Sequence, residues 1–220
     1  LASNSLEMRD SHRGLAAAKR SGPLPPVAIA IACDIPGPAL AYDSWPVPHA
    51  SSAMNAMSSK QLEGCVAVIT GASLGIGRST AIAMGRAGAN VVVNYRSSEK
   101  EAQQVVDVIC ESGAAAIKVQ ADVAEQSAVE HLVESAVTEF GRLDIAVSNA
   151  AYSDRELYFE ADMEGFRRTV DVTMWGAFYL MRAASQQMIK QGEGGQITLV
   201  SSPHAFIPAP RAMAYNMSKA

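Results

Sequence analysis

Tyr215 and Lys219 stand four residues apart, a spacing that places both side chains on one face of a helix. A phenol ordinarily ionises near pH ~10 and is a poor acid or base close to neutrality. An ammonium group roughly 4 Å away favours the phenolate by up to ~4 kcal/mol at an effective dielectric of about 20. Such a pair brings the phenol into the range useful for general acid–base catalysis. Ser202 lies thirteen residues before Tyr215. Tyr-x-x-x-Lys alone is an ordinary helix turn, so its weight depends on its company.

That company begins upstream, where the chain reads Thr70-Gly71-Ala72-Ser73-Leu74-Gly75-Ile76-Gly77, a G-x-x-x-G-x-G spacing. Gly71 permits a tight turn off a strand, Gly75 lets backbone approach a diphosphate, and Gly77 lets the next helix pack close to a sheet. The helix N-terminus then offers free N–H groups and a positive dipole end to an anion. Three glycines are weak evidence in an arbitrary loop. Between a first strand and a first helix they point to a dinucleotide.

The flanking segments have the periods such a loop needs. Residues 65–69 are a continuous apolar run, and residues 76–87 carry Ile76, Ala81, Ile82 and Ala83 at helical spacing before Gly88. Strand-like stretches at 90–93, 116–119, 143–147 and 196–200 alternate with helical ones at 99–110, 125–140 and about 162–191. Within 125–140, Val129, Leu132, Val133, Ala136 and Val137 form one stripe. Strands alternating with helices of this length predict a doubly wound, Rossmann-like parallel α/β sheet with right-handed crossovers. Ligands of such sheets bind beyond the carboxyl ends of the strands.

Composition narrows the function classes. Lys+Arg 18 against Asp+Glu 22 leaves a net charge of −4, unlike the basic footprint of nucleic-acid-binding domains. Charged residues are 18%, below the roughly 25% of an average domain, as buried central strands require. No apolar run reaches the length of a membrane span. Cys33, Cys65 and Cys110 have no short spacing and His12, His49 and His131 are scattered, so neither a disulfide framework nor a metal site is expected. A soluble protein of the reducing cytoplasm fits these features, with neither nucleic acid nor membrane as partner. Residues 1–56 hold seven of the ten prolines, lack a sustained period, and are expected to be disordered beside a dinucleotide-binding domain over 57–220. Lys19 and Arg20 before the apolar 27–33 suggest a signal peptide, but Pro23, Pro25, Pro26 and Asp34 oppose it. Upstream sequence before a start at Met54 or Met57 is the preferred reading.

Thr-Gly-x-x-x-Gly-Ile-Gly, followed by Asp122-Val123, Asn149-Ala150, Ser202 and Tyr215-x-x-x-Lys219, resembles the short-chain dehydrogenase/reductase family over residues 61–220. The stretch Val91-Val92-Val93-Asn94-Tyr95-Arg96-Ser97 is similar to members that oxidise glucose or reduce 3-oxoacyl groups. The resemblance implies an NAD(P)-dependent oxidoreductase moving a hydride between a nicotinamide and a small alcohol or carbonyl compound. It gives Tyr215 the proton transfer, Ser202 the substrate oxygen, and Lys219 the nicotinamide ribose as a second task. Gly71, Ser73, Gly75, Ile76, Gly77, Asn149 and Ala150 fall at cofactor-binding positions, together with Tyr215 and Lys219. Asp122 would accept the adenine amine and Val123 line the adenine pocket. Asp122 also reads as an N-cap for the helix near 125, and both roles are compatible. An acid ending the second strand would select NAD, whereas this chain has Arg96, which suits a 2′-phosphate. NADP is therefore preferred, with NAD also possible because Leu74 occupies the position of a second basic residue. A homo-oligomer is implied for the full-length protein.

Three features depart from the family pattern. Ser148-Asn149-Ala150-Ala151 stands where Asn-Asn-Ala-Gly is usual. Thr173 aligns with the family's fourth catalytic residue, usually Asn, and is kept as a catalytic candidate because part of that role passes through the main-chain carbonyl. The chain ends one residue past Lys219, which predicts a fraying catalytic helix, an exposed edge at 196–200 and little or no turnover from this chain. A catalytically silent dinucleotide-binding or interaction module is the alternative. His204 reads as a bystander; Met174 and Trp175 suit a dimer surface or, more often for such a stripe, the core, and Met181 and Met188 read as core.

Overall fold

Strand β2 (Val66–Ile69) is buried along its whole length, as an unbroken apolar run must be when both sheet faces are covered. The computed structural model describes residues 27–32 and 60–220. Beside β2 lie β3 (Asn90–Tyr95), β4 (Ala116–Gln120), β5 (Ile145–Ser148), β6 (Gly195–Val200) and β1 (Val27–Ala32). All pairings are parallel, in the order β1-β6-β5-β2-β3-β4. The helices are α1 (Gly75–Arg86), α2 (Glu99–Glu111), α3 (Gln126–Phe140), α4 (Met163–Val170), α5 (Gly176–Gln191) and α6 (Met213–Lys219).

The period-2 alternation of β2 sorts its side chains into two cores. Val66 and Val68 join Val129, Leu132 and Val133 of α3 and Leu180 and Met188 of α5. Ala67 and Ile69 join Ala81 of α1 and Ala102, Val105 and Ile109 of α2. Helices on both faces thus cover a parallel sheet, the architecture expected from the alternation. The chain leaves α3 at Gly141 and α5 at Gly192, both left-handed, which closes each helix and returns the backbone to the sheet.

Two expectations need correction. Within the segment expected to be disordered, Val27–Ala32 forms a strand paired along its length with β6, from Val27 opposite Gly195 to Ala32 opposite Val200. The segment suits a strand once β6 offers a partner: Val27-Ala28-Ile29-Ala30-Ile31-Ala32 is free of proline and alternates β-branched with small residues. The unpaired backbone groups of β6 give it a partner, so β6 is not the exposed edge expected of it. The remaining expectations for residues 1–59, disorder outside Val27–Ala32 and the upstream start among them, lie outside the described residues.

The second correction concerns the long helix, expected as one run over about 162–191. A π-helical turn, Asp171–Trp175, separates α4 from α5. It buries Val172 and Thr173 and rotates Met174 and Trp175 outward, 39% and 41% exposed, where core positions were expected. Trp175 stacks on Tyr179 and meets Phe178 edge-on. Met188 is buried and Met181 packs against the core, as read from the pattern.

Candidate active site

The turn from β2 to α1 is built around two glycines with different tasks. Gly75 has φ +57°, and a Cβ there would meet nothing within 4 Å, so conformation demands the glycine and the space above it is open. Gly77 is set by contact: a Cβ would run into the Gly71 carbonyl oxygen and lie 2.5 Å from Asn149 Nδ2. Polar side chains hold this turn to the neighbouring strand ends. Asn149 Nδ2 donates to the Thr70 and Gly71 carbonyls at 3.0 and 3.2 Å, and the Thr70 hydroxyl accepts from the N–H of Asn149 and Ala150. Buried Asn94 accepts from the Gly71 N–H at 3.1 Å and donates to the Ala121 carbonyl at 3.0 Å. One asparagine therefore joins the glycine loop to the ends of β3 and β4.

Around this turn lies a cleft of about 350 Å³ at the carboxyl ends of the strands, lined by Gly71, Ser73, Arg96, Asp122, Val123 and Asn149 among others. The Asp122 carboxylate is held at both oxygens. One accepts from the Ala124 N–H at 3.0 Å and the other from Arg168 Nη2 at 2.7 Å. Helix α3 starts at Gln126 with Glu125 in the capping position, so Asp122 closes an Asx turn before the helix rather than capping it. Burial pushes the Asp122 carboxyl up, but the Arg168 guanidinium, the Ala124 N–H and the charge of Arg96 outweigh it and hold it below the ordinary carboxylate value. Arg96 is exposed at the rim. Leu74 and Ile76 are exposed, at 53% and 65%.

Because Ser148 pairs with Leu199, the chain leaves β5 and β6 side by side, which brings Asn149–Ala151 next to Ser201 and Ser202. Ser202 is buried, and its hydroxyl accepts from the His204 N–H at 3.2 Å. Lys219 Nζ lies 5.8 Å from the centre of the Tyr215 ring, and the His204 ring meets Tyr215 edge-on at 6.0 Å. Lys219 was expected on an unsupported helix end. Instead its ammonium donates to the Val200 carbonyl at 2.6 Å, and its own carbonyl accepts from the Ser201 hydroxyl at 3.4 Å. The end of β6 supplies the anchorage that a short helix lacks alone.

Thr173 sits on the π-turn, 2% exposed. Its hydroxyl accepts from the Tyr152 N–H at 3.1 Å and donates to the Tyr152 carbonyl at 2.9 Å, clamping the loop that follows β5. Thr173→Val keeps the shape and strands two backbone groups. It should cost about 1–3 kcal/mol of stability, read from urea unfolding. An unchanged unfolding midpoint would show that the clamp carries no weight.

The family model for short chain dehydrogenase matches residues 65–220. The chain belongs to the short-chain dehydrogenase family. It is 39% identical over 161 residues to an L-rhamnose 1-dehydrogenase (NAD(P)(+)) of Sphingomonas sp. (strain SKA58), covering 73% of this chain and 63% of that protein. It is 35% identical over 161 residues to glucose 1-dehydrogenase 2 of Bacillus subtilis (strain 168), covering 73% of this chain and 62% of that enzyme. The solved structure of a short-chain type dehydrogenase/reductase from Mycobacterium marinum superposes with a TM-score of 0.69 at 34% identity, over 73% of this chain and 63% of that one. The chain thus spans somewhat less than two thirds of the relatives it matches.

The residues expected at the site fall into two groups in the fold. Gly71, Ser73, Arg96, Asp122, Val123, Asn149 and Ala150 line one cleft, with Gly75, Ile76 and Gly77 on the turn beside it. Ser202, Tyr215 and Lys219 gather beyond β6, and Thr173 reaches the cleft through Tyr152. Residue patterns did not single out Arg168, which is 46 positions from Asp122 and meets it only in the folded chain. Asn94 was visible as a missing carboxylate, but not as the staple of the glycine loop.

Among the described residues, no helix is long and apolar enough to cross a membrane.

Proposed function

We propose that the protein carrying this chain is an NADP-preferring oxidoreductase acting at a sugar hydroxyl, with Tyr215 as its acid–base residue. The observation that carries this reading is the placement of Ser202, Tyr215 and Lys219 on the same edge of the sheet as the glycine turn and its cleft. The residues fit a dinucleotide: an open backbone at Gly75, a carboxylate at Asp122 and a cation at Arg96 without a competing acid at the end of β3. When bound, the nicotinamide supplies the acceptor for hydride. Ser202 would hold the substrate oxygen. Tyr215 would take the proton of the substrate hydroxyl as the carbon–hydrogen bond breaks, with Lys219 held beside it by the Val200 carbonyl. The rhamnose and glucose 1-dehydrogenases among the relatives favour an aldose over a 3-oxoacyl compound.

One observation favours a second reading. The Thr173 hydroxyl is already engaged at both its donor and acceptor sides by Tyr152, so it has no proton to relay. On that reading the site binds dinucleotide without turnover. Substrate panels of aldoses and acetoacetyl thioesters under both nicotinamides separate the two.

Cofactor choice is tested by Arg96→Gln. A charge-assisted contact to a 2′-phosphate contributes about 1.5–3 kcal/mol, so the Kd for NADP should rise roughly tenfold or more. The Kd for NAD should stay near its original value. Equal losses for both cofactors would remove Arg96 from that role.

A further inference from the structure

Asp122 and Arg168 come from different elements lining the cleft and meet at 2.7 Å, with side chains 32% and 28% exposed. The pair joins the loop after β4 to the last turn of α4, and both residues face the same space as Arg96. The second Asp122 oxygen is taken by the Ala124 N–H. A carboxylate offers about four acceptor sites, so fixing one at each oxygen orients the remaining two without exhausting them. Without Arg168, Asp122 would keep only its local Asx turn and could rotate or take a proton.

We propose that Arg168 is a positioning residue for the adenine end of the dinucleotide and acts through Asp122. This rests on the dinucleotide reading above. Arg168 differs from Arg96 in what it governs. The adenine is common to NAD, NADP and 5′-AMP, so Arg168 tunes all three alike, while Arg96 governs the phosphate that only NADP carries. The charged groups facing Asp122 are Arg168 from α4 and Arg96 from the end of β3. Removing the first lets the Asp122 carboxyl rise, so adenine binding fails at a higher pH on acidification.

The test is calorimetric titration of the 220-residue chain with 5′-AMP, NAD and NADP. Arg168→Gln should weaken all three by a common factor of about tenfold and move the acid limb of 5′-AMP binding to higher pH. Arg168→Lys should recover part of the loss. In an Asp122→Asn background, Arg168→Gln should add no further loss, because the interaction has already been removed. Thermal unfolding of each variant identifies any failure to fold, and the lysine variant then carries the comparison. A loss confined to NADP would overturn the proposal by making Arg168 a phosphate ligand. Full additivity with Asp122→Asn, or unchanged binding in folded Arg168→Gln, would overturn it equally. Wild-type protein that binds none of the three would instead sink the dinucleotide reading itself.

Discussion

Tyr215→Phe should reduce turnover by roughly 10²–10⁴-fold, the usual contribution of a positioned acid or base. The substitution removes one oxygen and leaves the ring. The edge-on contact with His204 and the Lys219 ammonium over the ring therefore survive, and neither fold nor dinucleotide affinity should change much. That division makes the result informative. A loss in kcat with an unchanged Kd for NADPH places Tyr215 at the reacting atoms. Parallel loss of both would mean that the ring, or the helix carrying it, shapes the cofactor site instead. Unaltered turnover would remove Tyr215 from the chemistry.

Gly77→Ala should have the second largest effect, because the added methyl has no soft neighbour to displace. On one side stands the Gly71 carbonyl, part of the turn itself; on the other stands Asn149 Nδ2, which already bonds the Thr70 and Gly71 carbonyls. Relief requires α1 to move away from the sheet or Asn149 to abandon its bonds. Overpacking of this kind costs about 1–3 kcal/mol, and a lost buried hydrogen bond adds a comparable amount. Urea unfolding should show the loss, and NADPH titration should show weakened binding as the turn shifts. A variant as stable as wild type, with unchanged affinity, would mean that helix and loop are not packed as described.

The glycine turn, the strand–helix alternation and the Tyr215–Lys219 pair were legible because each is a local pattern. Spacing within a few residues fixes a turn, a sheet face or a helix face, and such patterns read directly from β2, β3 and α1. Features joined across the chain were not legible. Arg168 and Asp122 belong to separate periodic segments, and nothing in either segment announces the other. The strand at Val27–Ala32 was hidden by the prolines around it and by its dependence on pairing with β6, a property of the assembled sheet. Met174 and Trp175 were misplaced because a 3.6-residue period was carried through the π-turn, where an extra residue rotates the outward face. The support of Lys219 was hidden for the same reason as Arg168. Its anchors, Val200 and Ser201, lie on another element.

The most direct measurement is nicotinamide reduction by the full-length protein that carries this chain, offered a panel of aldoses under NADP and NAD. Aldose-dependent reduction that is faster with NADP is the expected result. Tight NADPH binding with no turnover on any aldose or acetoacetyl thioester would contradict it and leave the silent dinucleotide-binding module.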